Sequence, residues 1–124
     1  MKGSTILIVD DDPMVLDASR QLLESEGMKV ICVASWPELS QEMFLQPVDL
    51  ILLDVMLPGL NGDVIAPIIH RYLEGSPRIV LYSCLPKDQL KELARDKSIA
   101  GYLQKGETFG RAFVEAVSGL LMSG

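Results

Sequence analysis

Five short apolar runs decide what this chain can become: residues 6 to 9 (ILIV), 30 to 34 (VICVA), 50 to 53 (LILL), 79 to 82 (IVLY) and a weaker one around Tyr102 and Leu103. Each has the length of a strand and is rich in β-branched residues. They are mostly continuous rather than alternating. A strand with one wet face alternates, whereas a continuous run suits a parallel sheet with helices on both faces. Successive runs begin roughly 20 to 30 residues apart, room each time for one crossover helix and its loops.

The gaps carry helix signals. Asp12-Pro13 opens the first helix, because Asp caps well and Pro suits the first turn; Val15, Ala18 and Leu22 then share a stripe, and Gly27 ends it. Ser35 with Glu38 three residues on reads as a capping box for the second, which runs to about Leu45. Asn61-Gly62 opens a third that ends near Gly75, with a bend expected at Pro67. Pro86-Lys87-Asp88 leads into a fourth. Thr108 caps a fifth, where Phe109, Phe113, Ala116, Val117, Leu120 and Leu121 form the clearest apolar stripe. No linker or repeat interrupts the pattern. Residues 1 to 124 therefore read as one domain, a βα unit used five times. With right-handed crossovers this is an α/β fold, a three-layer, doubly wound five-stranded parallel sheet of strand order 2-1-3-4-5.

Composition narrows the function. Eleven Lys and Arg against seventeen Asp and Glu leave a net charge of -6, which opposes the phosphate binding a nucleic-acid module needs. The two cysteines, Cys32 and Cys84, stand in apolar stretches and read as small buried hydrophobes of a reducing compartment. No apolar run approaches the ~18 residues of a membrane span, and the N-terminus turns acidic too soon for a signal peptide. The expectation is a cytoplasmic protein with no membrane and no nucleic-acid partner.

In such a sheet the site lies beyond the C-terminal strand ends, where the strand order reverses. There the first strand delivers Asp10, Asp11 and Asp12, the third Asp54, the fourth Ser83, and the fifth is followed by Lys105. Asp12 is accounted for as a helix cap. Asp10 and Asp54 directly follow adjacent strands, so their like charges repel unless a cation separates them. Hard oxygen ligands with open positions suit Mg2+, commonly completed by a phosphate. Lys105 as a point charge and Ser83 as a hydrogen-bond donor complement that phosphate. The set reads as metal-assisted phosphoryl transfer.

ILIVDDDP at 6 to 13, LILLDVMLPGLNG at 50 to 62, VLYS at 80 to 83 and GYLQK at 101 to 105 fall in order at the ends of the first, third, fourth and fifth strands. Over essentially its whole length the chain resembles the receiver domain of two-component response regulators, with its flavodoxin-like, CheY-like fold. The resemblance implies that Asp54 is a phosphoacceptor, taking a phosphoryl group from a partner histidine kinase or phosphotransfer protein. It implies that Asp11 ligates Mg2+ directly, that Asp10 helps directly or through water, and that Asp54 and the backbone carbonyl of Met56 complete the protein's share. Ser83 and Lys105 would bond phosphoryl oxygens, and Tyr102 matches the switch aromatic that responds to Ser83. The output would be a phosphorylation-driven change of an interaction surface formed by the fourth helix, fifth strand and fifth helix, a surface also open to homodimerisation. Arg95, Lys97, Glu107 and Arg111 are candidates for that surface or plain solvated charges. Such a domain is a switch that catalyses only its own phosphoryl transfer and dephosphorylation, and the effector it drives is unspecified.

The chain departs from the family pattern at three places. Gly106 follows Lys105 where a proline is usual, Cys84 follows Ser83 where Ala or Gly is usual, and Met56 and Leu85 are apolar where related receivers often carry polar groups. Apolar side chains there do not orient an attacking water, so slow self-dephosphorylation is expected. Two other readings compete. A phosphorylation-independent binding module would keep the fold alone. A haloacid-dehalogenase-like phosphatase would use Asp10 and Asp12 as its strand-end pair but would leave Asp54 unexplained. Asp54→Asn separates a receiver from that hydrolase.

Overall fold

All five apolar runs form strands, and they lie side by side in one parallel sheet. The computed structural model describes residues 3–45, 47–56, 67 and 77–122. The strands are β1 (Thr5–Val9), β2 (Lys29–Val33), β3 (Leu50–Leu53), β4 (Arg78–Ser83) and β5 (Gly101–Gln104), in the order β2-β1-β3-β4-β5. The register sets Val9 beside Val33 and Leu53, and Ser83 beside Gln104. The strands on either side of the β1–β3 pair thus end close to it, and the residues just beyond the strand ends share one rim.

The continuous runs are continuous because both faces are buried. Leu7, Val9, Ile51, Leu53, Ile79 and Leu81 project into one core with Leu39 and Leu90; Ile6, Ile8, Leu50, Leu52, Val80 and Tyr82 project into the other with Leu23, Phe113 and Val117. Each fully buried aliphatic or aromatic side chain stabilises the fold by about 1.5–3 kcal/mol before the entropy of ordering is subtracted. The helices among the described residues are α1 (Pro13–Glu24), α2 (Trp36–Leu45), α3 (Lys87–Leu93) and α4 (Gly110–Met122). Helices α1 and α4 cover one face of the sheet; Leu39 of α2 and Leu90 of α3 are buried on the other. The helix expected between Asn61 and Gly75 lies outside the described residues, apart from Pro67, which is helical and exposed.

Local signals start the first two helices as expected. Asp12 caps α1, its carboxylate accepting from the Met14 N–H at 3.0 Å, with Pro13 in the first turn. Gly27 follows the helix with φ of 84°, a left-handed turn suited to glycine. Ser35 Oγ accepts from Glu38 N–H at 3.4 Å, and the Glu38 carboxylate accepts from the Ser35 hydroxyl at 3.3 Å.

Three expectations need correction. The buried residues of α1 are Ser19 and Leu23, while Ala18 is exposed and Val15 and Leu22 are only partly covered. The inward stripe is rotated by one residue and places Ser19 beside Tyr82 in the lining of one cleft. Helix α4 begins at Gly110, not after a Thr108 cap. Gly110 has φ of 60°, so the chain turns sharply there and leaves Phe109 outside the core, 72% exposed. Cys84 is exposed because it follows the end of β4, and Cys32 is half-buried, its thiol directed at the Leu16 carbonyl at 3.8 Å. Among the described residues no helix is long and apolar enough to cross a membrane.

Candidate functional site

The strand ends bring Asp10, Asp11, Asp54, Ser83 and Lys105 to one rim, as the spacing predicts. The backbone anchors each in turn: Asp10 N–H donates to Val33 C=O at 3.1 Å, Asp54 N–H to Val9 C=O at 3.0 Å, and Lys105 N–H to Ser83 C=O at 2.9 Å. These bonds extend the β ladder one residue past each strand, so the polar residues are held by the sheet itself rather than by loose loops.

Asp10 and Asp54 are buried, and Asp11 is exposed at the mouth. Their carboxylate oxygens lie within 4.8 Å of one another. Asp10 Oδ1 accepts from Asp12 N–H and Asp54 Oδ1 from Met56 N–H, each at 2.9 Å. The second oxygen of each faces Lys105, whose ammonium pairs directly with Asp10 Oδ2 and stands 3.5 Å from Asp54 Oδ2. Asp12, whose carboxylate caps α1, is outside this cluster, which removes the second acid of a strand-end Asp-x-Asp pair.

Burial pushes the Asp10 carboxyl above its ordinary value, more than the hydrogen bonds from Lys105 and Asp12 lower it. Burial alone acts to lower Lys105, but the hydrogen bond to Asp10 and the charges of Asp54 and Asp10 outweigh it, so the net direction is upward. The lysine is therefore a held cation, and the acidic cluster carries more negative charge than this one ammonium offsets. Hard oxygen donors gathered at this spacing, with one open to solvent, fit a divalent cation such as Mg2+.

Beside the cluster opens a cleft of about 290 Å3 lined by Asp54, Met56, Ser83, Cys84, Leu85, Pro86 and Lys105. The Ser83 hydroxyl accepts from Leu85 N–H at 3.2 Å and faces Asp54 across it. Met56 is 63% exposed and Leu85 half-buried, so the walls of the mouth are apolar. Cys84 lines the cleft without belonging to the core. Tyr102 is half-buried and packs against the core cluster that holds Leu90 of α3. Of the charged residues considered for that surface, Arg111 pairs with Glu26 at 3.5 Å, next to α1, while Arg95 pairs within α3 and its following turn with Glu92 at 3.2 Å.

Two residues near the site were not singled out from the sequence. Gln104 Nε2 donates to Leu85 C=O at 2.9 Å, joining β5 to the loop after Ser83. Tyr82 sits under Lys105, Nζ lying 5.5 Å from its ring centroid. Its signal was a polar aromatic closing an otherwise aliphatic run just before Ser83.

Comparisons with known proteins bear on the family and the fold. The family model of the response regulator receiver domain matches residues 6–116. The transcriptional regulatory protein DcuR of Escherichia coli (strain K12) is 31% identical over 118 residues, 92% of this chain and 48% of that protein. The nitrate/nitrite response regulator protein NarL of the same strain is 35% identical over 106 residues, 82% of this chain and 48% of that protein. The chain spans only about a third to a half of the length of the curated relatives it matches first. A putative response regulator from Chloroflexus aurantiacus superposes with a TM-score of 0.86 at 27% identity, over 98% of this chain and 100% of that one. A CheY-like receiver domain protein from Methanospirillum hungatei gives 0.85 at 25% identity, over 97% and 94%. With its strand order, its acidic rim and this match over most of its length, the chain belongs to the response regulator receiver domain family, the signalling switches of two-component systems.

Proposed function

We propose that Asp54 is the phosphoacceptor and that it takes a phosphoryl group from a phosphohistidine on a partner histidine kinase or phosphotransfer protein. The observation that carries this reading is the placement of Asp54: a buried carboxylate at the end of a central strand, one oxygen held by Met56 N–H and the other facing Lys105. In the transfer an Asp54 carboxylate oxygen forms a bond to phosphorus as the phosphorus–nitrogen bond breaks, and the imidazole leaves with the electron pair and takes up a proton. Asp10, Asp11, Asp54 and the Met56 carbonyl would hold Mg2+, which offsets the charge shared by the carboxylates and the phosphoryl oxygens. Lys105 supplies a second positive charge at a distance that needs only a small shift of its ammonium to reach a phosphoryl oxygen. Ser83 supplies a hydroxyl across the cleft.

The same residues give the domain its switch. When the Ser83 hydroxyl turns toward the phosphoryl group it releases Leu85 N–H, whose carbonyl is tied to Gln104 on β5, two residues from Tyr102. A change at Ser83 thereby biases the packing of Tyr102 against α3, and with it an interaction surface of α3, β5 and α4. The downstream partner is an effector domain or protein that reads this surface. Intact-mass spectrometry after incubation with Mg2+ and acetyl phosphate tests the reading. The expected result is one phosphoryl adduct that requires Mg2+ and disappears in Asp54→Asn. Absence of an adduct under conditions that label another receiver contradicts it and favours a phosphorylation-independent binding module.

A further inference from the structure

Lys105 must reach over the top of the sheet to meet Asp10 and Asp54, and its own loop does little to aim it. Gly106 is exposed, and a Cβ built there would meet nothing within 4 Å. The backbone of the turn is held by Lys105 N–H donating to Ser83 C=O and by Glu107 and Thr108 N–H donating to Gln104 C=O, but none of these bonds reaches the lysine side chain. The carboxylates hold the tip, but they are the groups that the loaded site uses, so their hold on the ammonium weakens when it is needed.

Tyr82 offers a hold that does not change. It precedes Ser83 on β4 and pairs in register with Leu103, so its side chain leaves the sheet on the opposite face from the Ser83 cleft. There a second cleft of about 240 Å3, between α1 and α4, is bordered by Tyr82 and Lys105 together. The ring itself is fixed. Phe113 of α4 packs against it with centroids 5.3 Å apart, and Ser19 of α1 pairs with its hydroxyl. Lys105 Nζ lies 5.5 Å from the ring centroid, within the range of a cation–π contact, and the lysine side chain is only 12% exposed, so water screens the contact weakly. A ring face attracts a cation without demanding one direction, so the ammonium can slide from a carboxylate toward a phosphoryl oxygen while keeping this contact.

We infer that Tyr82 is the positioning residue of Lys105, an aromatic rest that takes over the aiming that the loop through Gly106 does not supply. The kinetic part of its test rests on the proposed labelling of Asp54; the spectroscopic part does not. In the resting, metal-free protein the Hε resonances of Lys105, assigned by their loss in Lys105→Met, are expected to be shifted upfield by the Tyr82 ring. The shift persists in Tyr82→Phe, which keeps the ring, and vanishes in Tyr82→Leu, which removes it. With acetyl phosphate and Mg2+, Tyr82→Leu slows labelling of Asp54 by about five- to tenfold and Tyr82→Phe restores most of the rate. A residue that merely stabilises the fold would slow labelling equally whatever stands at 105; a residue acting through Lys105 leaves no more than about a twofold further effect in a Lys105→Met background. Ordinary Hε shifts in the wild type, an unslowed Tyr82→Leu, or an undiminished effect beside Lys105→Met each overturn the inference. If the wild type is not labelled at all, the functional reading fails and the resonances alone decide the role of Tyr82. If Tyr82→Leu does not fold, the shifts of the wild type and of Tyr82→Phe decide it.

Discussion

Replacing Asp10 by asparagine should make the metal-free protein more stable, although the substitution removes an ion pair. The carboxylate oxygens of Asp10 and Asp54 lie within 4.8 Å. At an effective dielectric constant of about 20, two unit charges at that distance repel by roughly 3.5 kcal/mol. Losing that repulsion is more than offset by losing the attraction between Asp10 and Lys105, which are in direct contact. Larger than this net attraction is the cost of keeping a carboxylate that is 1% exposed out of water, which leaves the Asp10 carboxyl raised. The asparagine carbonyl can still accept from Asp12 N–H, so the loop keeps its bond. Lys105 keeps Asp54 as a partner, so no buried charge is left alone, and a net gain of about 1–2 kcal/mol is the expected balance. At roughly 2.1 cal/mol/K per residue, a chain of 124 residues moves its Tm by about 4 °C per kcal/mol, so Asp10→Asn should melt about 4–8 °C higher in EDTA at neutral pH. The sign of the pH dependence is set by the same shift. A carboxyl whose folded pKa is raised favours the fold while it is protonated, and that contribution is lost as pH rises through the folded value. The advantage of Asp10→Asn should therefore vanish below the ordinary carboxylate value of 3.8 and open as the pH rises above it. Scanning calorimetry across pH reads both. A variant that melts lower than the wild type at neutral pH without metal would refute the reasoning, because the pair with Lys105 would then outweigh burial and repulsion together.

Mg2+ should raise the wild-type Tm by mass action, by about 2.7 kcal/mol or roughly 10 °C at a hundredfold excess over Kd, and most of that gain should be lost in Asp10→Asn. Thermal melts at increasing Mg2+ check this. Phe113→Ala should cost about 3–5 kcal/mol in urea unfolding, since Phe113 is fully buried and packed on Tyr82. Lys105→Met should tighten Mg2+ about tenfold by removing a competing cation from the two carboxylates, while slowing labelling of Asp54, as titration and mass spectrometry would report. The acyl phosphate should persist for many minutes, because Met56 and Leu85 present apolar walls to the cleft; decay within seconds, followed by mass, contradicts that expectation.

The strands were legible because burial on both faces leaves continuous apolar runs, their order because 2-1-3-4-5 is the most economical doubly wound arrangement of five such units, and the carboxylates because Asp10 and Asp54 directly follow such runs. Asp10, Asp11, Asp54, Ser83 and Lys105 meet at the rim for that reason. The features that escaped depend on contacts between elements. The inward edge of α1 falls on Ser19, which neighbours Tyr82, a proximity between residues 63 positions apart that periodicity within α1 does not contain. Phe109 fits the apolar stripe of α4 by spacing, and only the left-handed turn at Gly110 puts it outside. Cys84 looks like the continuation of a buried strand until Ser83 ends it. Tyr82 reads as one more strand residue, and its relation to Lys105 comes from the parallel pairing of β5 beside β4, which sets Lys105 just past the Ser83–Gln104 pair.

The function proposed for this domain depends on which carboxylate carries the phosphoryl group. Borohydride reduction of the protein after labelling with Mg2+ and acetyl phosphate, followed by peptide sequencing in the mass spectrometer, locates an acyl phosphate to a single residue. The expected result is reduction at Asp54 alone, dependent on Mg2+. Reduction at Asp10 or Asp11, or no reduction while another receiver treated alongside is modified, contradicts it.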